Sequence, residues 1–144
     1  SNLTLRDSKG SGVFESDGAS SHLDNVSVEN SKECGVVVWG TKRSSMKNCN
    51  VSHSKCSGLL VNNGGLMTID GIGTTIHHNV TNGDSGFYGL HTFNSSSSIH
   101  LVSPLTIETI STNNGGGGNH GGHGTIKSVD KDGKELEVVF EGIP

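Results

Sequence analysis

Apolar residues in this chain recur in short alternating runs that are separated by Gly, Ser and Asn. Three segments align without gaps, and each has two apolar residues at positions i and i+2, then Ser, three residues, Gly and a second alternating run. They are LTLRDSKGSGVFES from Leu3, VSVENSKECGVVVW from Val26 and CNVSHSKCSGLLVN from Cys49. Alternation with a period of two predicts β-strands, and the polar positions between the runs predict turns. The sequence therefore predicts a repeat of about 23 residues that contains about three short strands.

A Ser-x-x-x-Gly spacing marks five predicted coils. Its pairs are Ser8/Gly12, Ser31/Gly35, Ser54/Gly58, Ser85/Gly89 and Ser111/Gly115. The intervals between successive Gly residues are 23, 23, 31 and 26, so the two longer ones require insertions. One coil cannot bury its own apolar face, and it must stack on its neighbours to form a solenoid. Five or six coils at a strand spacing of about 4.8 Å would give a rod of roughly 25–30 Å.

The pattern also carries a family resemblance. Asn25 and Asn48 lie one period apart, as a stack of Asn side chains along the turns requires, and the Leu-x-x-Leu-x-Leu core of leucine-rich repeats is absent. These residues resemble the right-handed parallel β-helix repeat of pectate-lyase-like proteins and of the carbohydrate-binding and sugar-hydrolase repeat family. The resemblance covers about residues 3–129. It implies an all-β, right-handed parallel β-helix of about five coils.

The C-terminal segment has a different pattern. A Gly-rich loop, GGGGNHGGHG, is followed by TIKSV and ELEVVF on either side of Asp132-Gly133, which is a strong hairpin signal. We expect one domain, with a solenoid over residues 1–129 and a capping antiparallel hairpin over residues 130–144. Such a hairpin would cover the open edge of the last coil.

Composition and charge exclude several classes of protein. Gly accounts for 22 of 144 residues and Ala for a single one, Ala19, which excludes a helix bundle. The net charge is −4, and no cluster of Lys and Arg is present, which argues against binding to nucleic acid. No apolar run approaches the length of a membrane-spanning helix.

Cysteine and Asn-x-Ser/Thr positions give limited information on location. The three cysteines, Cys34, Cys49 and Cys56, are odd in number and lack a C-x-x-C spacing, so free thiols are expected rather than a zinc site or a disulfide framework. Five sequons occur, at Asn2, Asn25, Asn50, Asn79 and Asn94. Chance alone gives about three at this composition. They weakly favour a secreted or cell-surface protein.

The strand that follows each repeat Gly predicts which side chains face outward. We assign inward positions to Val36, Val38, Leu59, Val61, Leu90 and Thr92. Two outward columns then follow, Phe14, Val37, Leu60 and His91 in one, and Ser16, Trp39, Asn62 and Phe93 in the other. Surface strands usually carry polar residues at outward positions, so an apolar stripe here predicts a contact surface. The predicted ligand-binding residues are Phe14, Trp39, Leu60, Asn62, His91 and Phe93.

Three functions are compatible with such a stripe. The first is a non-catalytic binding or structural module. Carbohydrate is its candidate ligand, because aromatic faces stack on sugar rings and because the resemblance implies a saccharide groove on this sheet. The second is a pectate-lyase-like lyase, epimerase or glycosidase, for which Asp70, Asp84, His78 and His91 are the nearest candidates. The third is self-association through the stripe. The stripe itself contains no acid–base set, so the sequence leans against an enzyme.

Two histidine pairs are candidate metal ligands, His77-His78 and His120/His123. Adjacent side chains in a strand point to opposite faces, which argues against the first pair. Ordering a flexible Gly loop would cost entropy, which argues against the second. The sequence therefore predicts no metal and no cofactor.

Overall fold

The computed structural model describes residues 2–16 and 18–136, and this part of the chain forms fifteen short strands and one helical turn. The strands are β1 (Leu3–Arg6), β2 (Val13–Glu15), β3 (His22–Asp24), β4 (Val26–Glu29), β5 (Val36–Trp39), β6 (Arg43–Lys47), β7 (Asn50–Ser52), β8 (Leu59–Asn62), β9 (Leu66–Asp70), β10 (Thr75–His77), β11 (Leu90–Thr92), β12 (Ser98–Val102), β13 (Ser111–Thr112), β14 (His120–Gly122) and β15 (Thr125–Val129). The helix α1 (Ile107–Ile110) lies between β12 and β13. None of the described helical structure is long enough to cross a membrane.

Each successive group of three strands makes one coil, and corresponding strands of the coils pair in parallel. The first sheet has the order β1-β4-β7-β10-β13, the second β14-β11-β8-β5-β2 and the third β15-β12-β9-β6-β3. This arrangement confirms the predicted all-β parallel solenoid of about five coils. The right-handed sense of the coiling stays a prediction of the resemblance.

The core runs along the axis between the three sheets. In the second sheet Val36 pairs with Leu59, and Leu59 pairs with Leu90. The six side chains assigned inward, Val36, Val38, Leu59, Val61, Leu90 and Thr92, are all at most 1% exposed. The third sheet contributes buried Met46, Met67 and Ile69. The inward half of the period-two pattern is therefore confirmed.

The register corrects the repeat assignment in the last two coils. Gly58 stacks below Gly89 as predicted, since the Leu59 N–H donates to the Gly89 carbonyl at 2.9 Å. In the fifth coil Leu90 pairs with His120, so Asn119 and not Gly115 lies over Gly89. The predicted pair Ser111/Gly115 is therefore wrong, and Ser111 is instead a buried residue of β13.

Asparagine replaces the repeat serine in these coils. The Asn79 carboxamide oxygen accepts the Ser54 N–H at 3.0 Å, and the Asn114 carboxamide oxygen accepts the Asn79 N–H at 3.0 Å. Ser85, predicted at this position, lies in the exposed insertion before β11. A carboxamide can occupy the position because it both accepts and donates, and Asn79 also donates to the Val51 carbonyl at 3.1 Å.

Left-handed residues mark the turns at both ends of the first sheet. After the sheet, a column of five residues has φ between 53° and 60°: Asp7, Asn30, His53, His78 and Asn113. Before the sheet, Asn25 and Asn48 have φ of 55° and 52°, at the positions where the sequence predicts stacked Asn. Asn, Asp and His are the side chains that tolerate this backbone region best, which explains their recurrence at one period.

The predicted C-terminal hairpin lies mostly outside the described residues. Its turn is visible, because the Gly133 N–H donates to the Asp130 carbonyl at 3.0 Å. An isolated antiparallel bridge joins Val129 to Glu135. Residues 137–144 are not described, so the hairpin itself and its capping role stay predictions.

Candidate aromatic binding face

The outward columns of the second sheet have the predicted register. Phe14 pairs with Val37, Val37 with Leu60, and Leu60 with His91. In the second column Trp39 pairs with Asn62. The Phe93 N–H donates to the Val61 carbonyl at 2.9 Å, which places Phe93 beside Asn62 one coil further on. Ser16 lies just beyond the end of β2 and is exposed.

Three aromatic side chains of these columns are open to solvent. Phe14 is 60% exposed, Phe93 51% and Trp39 42%. Leu60 lies between them and is half-buried. We call Phe14, Trp39, Leu60 and Phe93 the aromatic face. It is an exposed apolar surface on a rigid sheet, which is typical of a contact surface.

The other predicted ligand-binding residues are buried. Asn62 is 8% exposed and His91 is 4% exposed. The His91 ring lies at centroid distances of 5.1 Å from Tyr88 and 5.9 Å from Phe87, both in the insertion before β11. The insertion therefore covers His91 in the fourth coil, whereas Phe93 in the same coil stays exposed.

Hydrogen bonding defines the state of His91. Its Nδ1 lies 2.9 Å from the Ser57 hydroxyl, and that hydroxyl already accepts the Tyr88 N–H at 3.2 Å. The hydroxyl proton can be donated to Nδ1 of the neutral ring, whereas a protonated Nδ1 has no lone pair to accept it. Burial lowers the pKa of His91 to about 4, with a smaller contribution from His123.

The residues considered for acid–base catalysis are not brought together. Asp70 ends β9 in the third sheet, whereas His91 lies in β11 of the second. His78 follows β10 of the first sheet, and Asp84 is exposed in the insertion. A catalytic pair needs groups within hydrogen-bonding reach of one substrate atom, and the topology separates these candidates.

Comparison with known proteins gives no match. No protein-family model, curated protein or solved structure matches it. The strand order therefore establishes the parallel solenoid. Its assignment to the pectate-lyase-like, carbohydrate-related type of solenoid depends on the sequence resemblance alone.

A histidine cluster lies away from the aromatic face, at the turn after the first sheet. His53 and His78 occupy equivalent positions of the left-handed column, and their rings stack at 5.3 Å with an interplanar angle of 6°. His77 meets His78 edge-on at 5.0 Å. The expectation that His77 and His78 point apart is wrong, because the left-handed φ of His78 ends the strand alternation. In the sequence, the spacing of 25 residues between His53 and His78 is close to the repeat length, and it could have indicated that the two residues lie side by side in adjacent coils.

The environment of His77 favours its neutral form. Burial lowers the pKa of His77, and the proximity of His78 and His53 lowers it further. Across the described ranges no set of three or more His, Cys, Asp or Glu side chains is arranged to hold a metal ion. Cys34, Cys49 and Cys56 are free thiols, and burial raises the pKa of Cys34 to about 12.

A buried acid was missed by sequence reasoning. Glu15 takes an inward position in β2 and is 3% exposed. One of its carboxylate oxygens accepts a hydrogen bond from the Ser44 hydroxyl, and the other has no hydrogen-bond partner. Alternation with a period of two puts Glu15 in the same inward column as Val38, its partner in β5. This position could have indicated that Glu15 is buried.

Proposed function

We propose that this chain is a non-catalytic carbohydrate-binding module whose ligand lies along the aromatic face. The observation that carries the proposal is the exposure of Phe14, Trp39 and Phe93 on one outer sheet surface. The resemblance to carbohydrate-related β-helix repeats supports it independently.

The spacing of the rings suits an extended polymer. Trp39 and Phe93 belong to one outward column and lie two coils apart, which corresponds to about 9–10 Å along the axis. Phe14 lies in the adjacent column of the first coil. Aromatic rings have an apolar face of the kind that stacks on the C–H face of a sugar, and the sheet holds them without loop ordering.

Trp39 is the only tryptophan in the chain, so its fluorescence reports on the face directly. We expect an array of acidic and neutral polysaccharides to contain at least one that shifts Trp39 emission and gives a binding isotherm by calorimetry. Trp39→Ala and Phe93→Ala should each weaken calorimetric binding at least about tenfold, as loss of an aromatic contact does.

Ile72→Ser is the matched control, because Ile72 is 83% exposed and lies after β9, away from the aromatic face. Its binding should equal that of the parent chain. If no polysaccharide changes Trp39 fluorescence or releases heat, sugar binding is wrong.

Self-association is a second candidate for the same surface. It is favoured by the exposure of Phe14, which at 60% is high for an aromatic residue in a strand. Sedimentation equilibrium should then show a dimer that Phe14→Ser converts to a monomer. A monomer at high concentration would exclude this function and leave the carbohydrate proposal in place.

A further inference from the structure

A cluster away from the aromatic face contains the exposed residues His53 and His78 and the half-buried His77. The stacking of the coils creates it, because His53 and His78 occupy one column with φ of 56° and 55°. The same column places Asp7 beside Asn30, whose side chains hydrogen-bond at 2.8 Å. Neighbours in this column therefore interact directly from coil to coil.

The two rings in the fourth coil converge through their nitrogens. His77 Nδ1 and His78 Nδ1 lie 2.7 Å apart, and the ring planes meet at 86°. A neutral imidazole nitrogen without hydrogen carries a lone pair, and two lone pairs repel at this distance. Such an approach requires a proton or a cation between the two atoms.

We propose that Nδ1 of His77 and Nδ1 of His78 together bind a divalent transition metal of the imidazole-preferring class, Zn²⁺, Cu²⁺ or Ni²⁺. Two imidazole ligands of tetrahedral Zn²⁺ at 2.0–2.1 Å lie roughly 3.3 Å apart, so the rings need to separate by about 0.6 Å. Binding displaces the proton shared by the two nitrogens. In the neutral pair this proton is exchanged through solvent to Nε2 of the ring that carried it, so that each ring keeps one N–H and presents the Nδ1 lone pair to the metal.

The surroundings set the class of metal and the strength of the site. Both donors are aromatic nitrogens, which Ca²⁺ and Mg²⁺ do not favour. The remaining coordination positions belong to water, since the third ring, His53, is parallel to His78 and packs on its face. His53 therefore restricts the orientation of His78 without acting as a ligand in this arrangement.

The test uses the full chain labelled with ¹⁵N and titrated with ZnCl₂. Long-range ¹H–¹⁵N spectra of the imidazoles should show the Nδ1 resonances of His77 and His78 shifting together, with saturation at one Zn²⁺ per chain. Calorimetry should show that His78→Asn weakens Zn²⁺ binding at least about tenfold. This substitution suits the fold because Asn already occupies the same left-handed position at Asn30 and Asn113.

Two further variants complete the design. His53→Asn should change the affinity less than about threefold, since that ring packs but does not bind. His120→Asn combined with His123→Asn is the control, because it removes the other pair of histidines that is close in the sequence and should leave binding unchanged. The proposal is overturned if His78→Asn binds Zn²⁺ as the parent does, if the double variant alone loses binding, or if only Nε2 resonances shift. These results are independent of polysaccharide binding, which the aromatic face would carry alone.

Discussion

His91 is enclosed by Tyr88, Phe87 and Phe93, and its neutral form is the one that accepts the Ser57 hydroxyl. Its pKa is lowered from 6.5 to about 4, so between these two values the unfolded chain binds a proton that the folded chain does not. The free energy of unfolding should therefore fall as the pH falls through this window, by roughly 2–3 kcal/mol, and level off below it. Urea denaturation at a series of pH values measures this.

The control for His91 compares how steeply the free energy of unfolding depends on pH in the parent chain and in two variants. His91→Leu should be less stable at pH 7, because Ser57 loses its acceptor, but its stability should depend less on pH between 6.5 and 4. His120→Asn should keep the parent slope, because it leaves His91 and its contact with Ser57 in place. An unchanged slope in His91→Leu would show that other groups cause the acid sensitivity.

Glu15 leads to a second prediction at the same scale. A buried carboxylate with one unpartnered oxygen is costly, whereas a carboxamide of the same size keeps an acceptor for Ser44 and carries no charge. Glu15→Gln should raise the free energy of unfolding by on the order of 1 kcal/mol, measured by urea denaturation at pH 7. Ser44→Ala should lower it, because it removes the donor. A less stable Glu15→Gln would contradict this account.

The burial of a side chain could be predicted where it depends only on strand alternation. It could not be predicted where another part of the chain covers that side chain. Val36 and Val38 could be assigned inward from alternation alone, and both are fully buried. His91 has an outward register yet is buried, because Phe87 and Tyr88 from the insertion cover it. That contact joins residues that no repeat relates, so a single repeat pattern contains no signal for it.

The repeat glycines show what the turn before the second sheet demands. A Cβ placed on Gly35 would lie 2.7 Å from the Gly58 carbonyl oxygen and 2.8 Å from the Ser54 hydroxyl. Gly35→Ala should therefore destabilise the fold by about 2–3 kcal/mol, as overpacking does. Thermal unfolding followed by circular dichroism measures the loss.

Gly10→Ala is the matched control for that substitution. Its Cβ would meet only the Glu33 carboxylate, at 3.4 Å, which is an ordinary contact with a flexible side chain. Its stability should stay within about 0.5 kcal/mol of the parent value. Equal effects of the two substitutions would mean that the close stacking of glycines is not what selects Gly35.

At the scale of elements, the sequence predicted the strands of the first three coils fully and those of the last two only in part. The early coils repeat the same residue types at a spacing of 23, as Leu3, Val26 and Cys49 do. In later coils Asn79 and Asn114 occupy the position of the repeat serine and accept backbone N–H groups through their carboxamide oxygens, and Asn119 replaces glycine. A turn requires a certain backbone shape and certain hydrogen bonds rather than one residue type. Chemically different side chains can meet these requirements, so the Ser-x-x-x-Gly spacing is not kept in the later coils.

Over the described residues the solenoid is a stack in which each coil pairs with the adjacent coils through three parallel ladders. Sequence repetition predicted this architecture, because the same apolar and turn positions recur in each coil and let it stack on the next. It could not predict which surface is functional, since the aromatic face and the histidine cluster each depend on single residues inserted into the common pattern, such as Trp39 in one coil and His78 in another.

This modularity gives a prediction for the entire molecule. Deletion of residues 26–48 removes one complete coil, because Leu3 pairs with Val26 and Ser27 pairs with Asn50 in continuous register. The shortened chain should fold, keep its β-sheet circular dichroism, and show a urea m-value lower by roughly a fifth, since the m-value scales with the surface exposed on unfolding. Deletion of residues 26–36 removes only part of the coil, moves every later strand into the wrong sheet, and should abolish folding. If both deletions unfold the chain, its coils are not interchangeable stacking units, and if both fold, the register between the three sheets does not govern assembly.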